Sequence, residues 1–134
     1  MDTEDAHGDH TLGREGIMTY LRVAERFSPD LGGRYKKDGP YSGEVFRNLH
    51  LLPLVERALA SGEEVTVDFD GVSGTPTSFL EEAFGGLLRA RPDWSLPQVK
   101  AALRIDAPKT PLLRPYMVLA YQYMEREAVR RLQH

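Results

Sequence analysis

The sequence predicts a single α/β domain, a small mixed or mostly parallel β-sheet covered by helices, and three observations carry that reading. Short β-branched runs such as "VTVDF" alternate along the chain with segments whose apolar residues recur every three or four positions. Clusters of Gly, Pro, Ser and Asp separate them, and strands joined through helices run parallel with crossover connections. The length of 134 residues suits one core, because a chain of this size buries roughly two-thirds of the surface it exposes when unfolded.

Residues 1–15, "MDTEDAHGDHTLGRE", are polar, acidic and nearly free of large apolar groups, so they are expected to form a disordered acidic tail before a domain spanning 16–134. Within the tail, "HGDH" offers His7, Asp9 and His10 to a divalent ion, but a mobile segment holds no preformed ligand geometry, and no metal site is expected.

The first strand is predicted in "GIMTYLRVAERFS", where Ile17, Tyr20, Leu21 and Val23 give a β-rich run without clean alternation, as for a strand partly covered on both faces. "PDLGGRYKKDGPYSG" follows as a loop. Its Arg34, Lys36 and Lys37 invite a phosphate-binding reading, yet the Gly-Lys-Ser/Thr ending that leads a P-loop into its helix is missing. A loop or short hairpin with a solvated basic tip, and no nucleotide site, is the expectation.

Ser42 opens the next helix, with Val45, Leu49, Leu52, Val55 and Leu59 as its core-facing stripe. Pro53 removes a backbone donor, which predicts a kink or a restart near Leu52, and Ser61-Gly62 ends the element. His50 is read as a helix-surface histidine, since no nucleophile pattern accompanies it.

"EVTVDFDGV" reads as a central strand ending near Phe69 or Asp70, followed by a turn at Gly71 and Gly74. Thr75-Pro76 delays the following helix "FLEEAFGGLLRAR", and Thr77 or Ser78 is placed to cap it; Ser78 with Glu81 matches a capping box. Phe79, Leu80, Ala83, Phe84, Leu87 and Leu88 make a broad apolar stripe on that helix. Gly85 and Gly86 each cost about 1 kcal/mol relative to Ala in a helix interior, which suggests that another backbone or a partner approaches closely there.

Ser95 is placed to cap a short helix starting near Pro97, and Leu103 to Asp106 reads as a strand. Thr110-Pro111 begins a final long helix with two apolar rows: Leu113, Met117, Ala120, Met124 and Ala128, then Leu112, Tyr116, Leu119 and Tyr123. Two rows are wide for a one-sided helix. Deep burial accounts for them, and so does a contact surface for another chain, through which the protein would form an oligomer.

Composition narrows the function. A formal net charge of −3 gives no overall attraction to nucleic acid or to an anionic membrane, and neither is expected as a partner. The absence of cysteine excludes disulfides, thiolate metal sites and thiol catalysis. No 18-residue apolar run or signal-peptide core is present, so a soluble, cytoplasmic protein is expected. The paired carboxylates Asp68 with Asp70 and Glu81 with Glu82 are read on a strand end and a solvated helix flank, with no histidine beside them in sequence; neither an enzyme nor a cofactor is expected.

The stretch "SGEVFRNLHLLPLVERALASGEEVTVDFDGVSGTPTSFLEEAFGGLLR" resembles the STAS-like family of bacterial domains DUF4325, most specifically at Asp68-Phe69-Asp70-Gly71-Val72 and Ser78-Phe79-Leu80-Glu81-Glu82-Ala83-Phe84-Gly85, over a reach of roughly Ile17 to Arg131. More distantly it is similar to the STAS domains of anti-sigma-factor antagonists and sulfate transporters, which work by docking to partners. In the antagonists the matching strand-turn-helix carries Asp-Ser-Ser-Gly-Leu, whose second Ser is phosphorylated by a GHKL-type kinase that is also the partner. Here these positions read Pro76-Thr77-Ser78-Phe79-Leu80, with Pro76 in place of the acidic residue and Phe79 in place of the Gly. The resemblance implies a non-catalytic regulatory or adaptor domain in a bacterial signalling circuit. Its contact surface would comprise Asp70, Gly71, Thr77, Ser78, Phe79, Glu81 and Glu82, with Ser78 or Thr77 as phosphoacceptor. A small-ligand or nucleotide-binding module, with its site at the carboxyl ends of the strands, is the remaining reading.

Overall fold

The computed structural model of the chain describes residues 10–13 and 16–133. Four strands form one mixed sheet in the order β1-β2-β3-β4: β1 (His10–Gly13), β2 (Gly16–Arg22), β3 (Glu64–Asp68) and β4 (Leu103–Asp106). The first pair is antiparallel and the other two are parallel. β1 falls in the segment expected as tail. Strand pairing there comes from backbone groups, which composition does not reveal. His7 and Asp9 of the "HGDH" run lie outside the described residues.

The register divides the sheet cleanly. Thr19, Val65 and Leu103 stand side by side, as do Leu21, Val67 and Ile105, and all six are buried. The alternate positions place Tyr20, Thr66 and Arg104, then Arg22, Asp68 and Asp106, on the other face. β2 therefore has one buried face, with Thr19 and Leu21, and one half-buried face, with Tyr20 and Arg22, in keeping with the partial cover on both faces expected for it. The alternation of side chains along a strand sets the two faces apart.

After the short helix α1 (Val23–Arg26), the chain loops through a 3-10 turn at Lys36–Asp38 into α2 (Gly43–Phe46). Ser42 caps α2, its hydroxyl oxygen accepting from the Val45 amide at 3.1 Å. A π-helical turn, Arg47–Leu51, then leads into α3 (Leu52–Ser61), which ends at Gly62 in the left-handed region (φ 77°). Leu52 donates its amide to the carbonyl of Arg47, five residues back. Pro53 has no amide to donate, and its ring would crowd the Leu49 carbonyl in a regular helix; the widened turn sits where that conflict arises. The extra residue per turn moves the buried stripe. Phe46, Leu51, Val55 and Ala58 face the core, whereas Leu49, expected there, is 65% exposed.

The second helical run has the same construction. α4 (Thr77–Leu80) passes through a π turn at Glu81–Gly85 into α5 (Gly86–Ala90), and every residue of the predicted stripe from Phe79 to Leu88 is buried. α6 (Leu96–Ala102) starts with a reciprocal cap: Ser95 Oγ accepts from the Gln98 amide, and Gln98 Oε1 accepts from the Ser95 amide. A 3-10 turn at Pro111–Leu113 precedes α7 (Arg114–Arg131). Its first row, Leu113, Met117, Ala120 and Met124, is buried, but Leu112 is 85% exposed and Tyr116 is 40% exposed. The second row is split, for Leu119 and Tyr123 further along it are half-buried, Tyr123 against the core. No helix among the described residues is long and apolar enough to cross a membrane.

Phe46, Phe69, Phe79 and Phe84 run through the core as a chain of rings with centroids 5.7 to 6.4 Å apart. His50 joins this chain. Its imidazole lies 5.6 Å from the Phe27 ring and 6.0 Å from the Phe46 ring, and burial, assisted by the charge of Arg26, pushes its pKa below the ordinary histidine value. The expected surface histidine is a half-buried member of an aromatic cluster.

Candidate functional site

Two regions bring the sequence-derived candidates together. The first is the turn between β3 and α4. Asp70 accepts from the Lys109 amide and from the Thr110 hydroxyl (2.7 Å), which ties this turn to the one after β4. Gly71 adopts φ 95°, and an added Cβ would lie 3.1 Å from that of Ala24, so both conformation and space call for glycine. Ser73 donates its amide to the Pro29 carbonyl at 2.8 Å and its hydroxyl to Asp30 at 2.9 Å. The turn is held from three directions. Asp68, just before it, has its pKa raised by burial, against the opposing effect of the Asp70 amide that donates to it.

Ser78 does not cap the helix. Pro76 occupies the N-cap with extended backbone (φ −56°, ψ 137°), and its carbonyl accepts from the Leu80 amide, so Thr77 and Ser78 are the first two helical residues. A proline has its φ fixed near the required value, and the helix starts two residues earlier than it would with Ser78 as its cap. Neither hydroxyl makes a hydrogen bond among the described residues. Thr77 is exposed and Ser78 half-buried, while Phe79 is fully buried and contributes to the core. A shallow cleft of about 470 Å³ adjoins the turn, between Leu31, Pro76, Leu113 and Tyr116.

The second region is a polar cleft of about 570 Å³ bounded by the loop at Arg34 and Tyr35, the π turn of Glu81 and Glu82, and the second half of α7. Glu81 and Glu82 are not on a solvated flank. Arg34 pairs with Glu81, and Arg89 pairs with Glu81 at 2.7 Å and with Glu127 at 2.9 Å. Arg47 donates to both the carboxylate (2.7 Å) and the backbone carbonyl (2.8 Å) of Glu82. Hydrogen bonds from Arg89, then Arg34, hold the Glu81 carboxyl below the usual range, and the Glu81 carboxylate raises the Arg34 pKa in return. The solvated basic tip expected of the 34–37 loop is thereby divided, since Arg34 folds into this network while Lys36 and Lys37 remain exposed.

The same ion-pair network accounts for the two glycines. A Cβ on Gly86 would overlap the Arg47 guanidinium, and one on Gly85 would lie 2.7 Å from a Glu81 oxygen. What approaches them is side chain from the same protein. The backbone approach occurs instead at Gly43, whose added Cβ would overlap the Phe79 carbonyl oxygen.

Sequence reasoning did not assemble this network, because Arg34, Arg47 and Glu127 lie between 35 and 47 residues from their partners. One signal was available. Glu127 interrupts the buried row of α7 three residues after Met124, and a carboxylate at a core position requires a cation facing it.

Residues 42–97 match the family described as STAS-like domain of unknown function (DUF4325). The matched span holds both helical runs with π turns, β3 and the turn that follows it. No curated protein matches the chain, and no solved structure does.

Proposed function

We propose, from the STAS-like match over residues 42–97, that the chain is a non-catalytic regulatory adaptor that docks another protein through the turn before α4 and the adjoining face of α7. One observation carries the reading. The braced turn from Asp70 to Pro76 borders a shallow cleft of mixed polarity, closed on its other side by Leu31, Leu113 and Tyr116, and Leu112, the chain neighbour of Leu113, is 85% exposed. A preorganised turn lowers the ordering cost of association, and exposed aromatic and aliphatic groups beside it supply the anchors that interfaces use. Its chemistry is that of a contact surface, with no histidine and no convergent acid-base pair lining it.

A phosphorylation switch of the same surface is the second reading, favoured by the unengaged hydroxyls of Thr77 and Ser78 at the first turn of the helix. A phosphate there would meet the helix N-terminal dipole favourably and add bulk and charge beside the cleft. The adaptor reading predicts that one specific protein co-purifies with the wild-type chain from its host and is lost with Leu112→Asp/Tyr116→Asp, as read by quantitative mass spectrometry. Recovery of the same set of proteins by wild type and double variant would refute it. The same experiment reads phosphate on Thr77 or Ser78 by mass.

A further inference from the structure

The charged cleft beside the π turn does more than hold helices together. Its floor is closed, because each of Glu81, Glu82 and Glu127 is engaged by at least two arginines. Arg34, Arg47, Arg89, Arg126 and Arg130 stand against those three carboxylates, which leaves positive charge in excess. The excess collects at the rim. Arg126 has no carboxylate partner among the described residues and lies 5.3 Å over the Tyr123 ring. The Arg130 side chain is 60% exposed and reaches Glu127 through a single 3.2 Å contact. Across the opening, the Tyr35 ring stands 5.9 Å from both the Arg34 guanidinium and the Lys37 ammonium. Two carboxylates beside that loop are engaged by its backbone, Asp38 accepting from the Tyr35 amide and Glu44 from the Lys36 amide.

A guanidinium carries five donors in a planar fork that suits two-oxygen anions, and here three of them, Arg34, Arg126 and Arg130, border one opening with donors left over. The cleft volume of about 570 Å³ is that of a small-molecule site. The net charge of −3 on the whole chain works against a long polyanion, so the occupant is small.

We infer that the rim formed by Arg34, Arg126 and Arg130, between the rings of Tyr35 and Tyr123, binds a small multivalent oxyanion, a diphosphate or a polycarboxylate. This site is separate from the proposed docking surface and does not depend on it. The full-length chain is titrated by calorimetry with pyrophosphate and, separately, with citrate, at constant ionic strength set by chloride. Saturable binding is expected, weakened about tenfold or more by Arg126→Glu, as for loss of a charge-assisted hydrogen bond. Arg126 enters no ion pair among the described residues and loses only its contact with the Tyr123 ring, so the variant should melt close to the wild-type temperature without ligand. Arg57→Ala, on α3 and outside the cleft, should bind like wild type. Preference for pyrophosphate assigns the ligand to diphosphates, and preference for citrate assigns it to polycarboxylates. Absence of binding by both anions, or equal affinity of wild type and Arg126→Glu, overturns the inference.

Discussion

Gly43→Ala sets helix propensity against packing. Gly43 is the first residue of α2 and is buried, with an ordinary helical conformation. Propensity alone favours Ala by up to about 1 kcal/mol. Packing opposes it, because the added Cβ would overlap the Phe79 carbonyl oxygen and lie 3.1 Å from its carbon and 3.2 Å from Glu82 Cβ. Ordinary C···O approach is roughly 3.3–3.6 Å, and the obstacle is backbone, which cannot rotate away as a side chain can. α2 would have to separate from α4, and over-packing of this kind costs about 1–3 kcal/mol. A net loss of about 1–2 kcal/mol remains, equivalent to roughly 3–8 °C in melting temperature at this chain length. Gly74→Ala provides the control, since nothing lies within 4 Å of its added Cβ and its φ is not positive; it should be neutral or stabilising by about 0.4–1 kcal/mol. Differential scanning calorimetry and urea titration read both. A Gly43→Ala protein as stable as wild type would refute the claim that α2 and α4 are in backbone contact.

Three further outcomes are expected. Arg47→Ala removes the shortest contact of the Glu82 carboxylate but leaves Arg34 and Arg89 at 3.5 Å, so it should cost about 1–3 kcal/mol by urea titration, with much of the loss recovered in Arg47→Met/Glu82→Gln. Ser78→Ala, at a position that caps nothing, should change stability by less than about 0.5 kcal/mol, whereas Ser42→Ala removes a true cap and should cost about 1 kcal/mol. His50 has its folded pKa depressed, so its stabilising effect is complete above the unfolded value near 6.5 and is lost as pH falls through the folded value. His50→Leu should therefore flatten the melting temperature profile over that window, and an unchanged slope would contradict the burial of the ring.

Much of the fold was legible in the sequence because it depends on neighbours in the chain. The Val65–Phe69 run became β3 and its continuation, Ser42 and Ser95 cap the helices they precede, Gly62 closes α3, and Leu103–Asp106 is β4. Each rests on backbone propensity, a cap within three residues, or a period of two or 3.6, all of which are local. The proline before Thr77, expected only to delay the helix, is the N-cap itself, a local fact that the serine pattern obscures.

What only the tertiary structure decided has a different origin. Phe46 and Leu51 share the core at a spacing of five, which no regular helical period anticipates, because the π turn before Pro53 inserts a residue. Leu49 and Leu112 look as apolar as their neighbours, and only the position of the other helices leaves them outside. The arginine and glutamate network is least visible of all. Any surface arginine can pair with any carboxylate, and the choice of Arg47 for Glu82, 35 residues away, is made by the packing of α2 against α4 through a gap that Gly43 and Gly86 keep open. Local residues specify the elements, and the long-range contacts of their side chains specify the site.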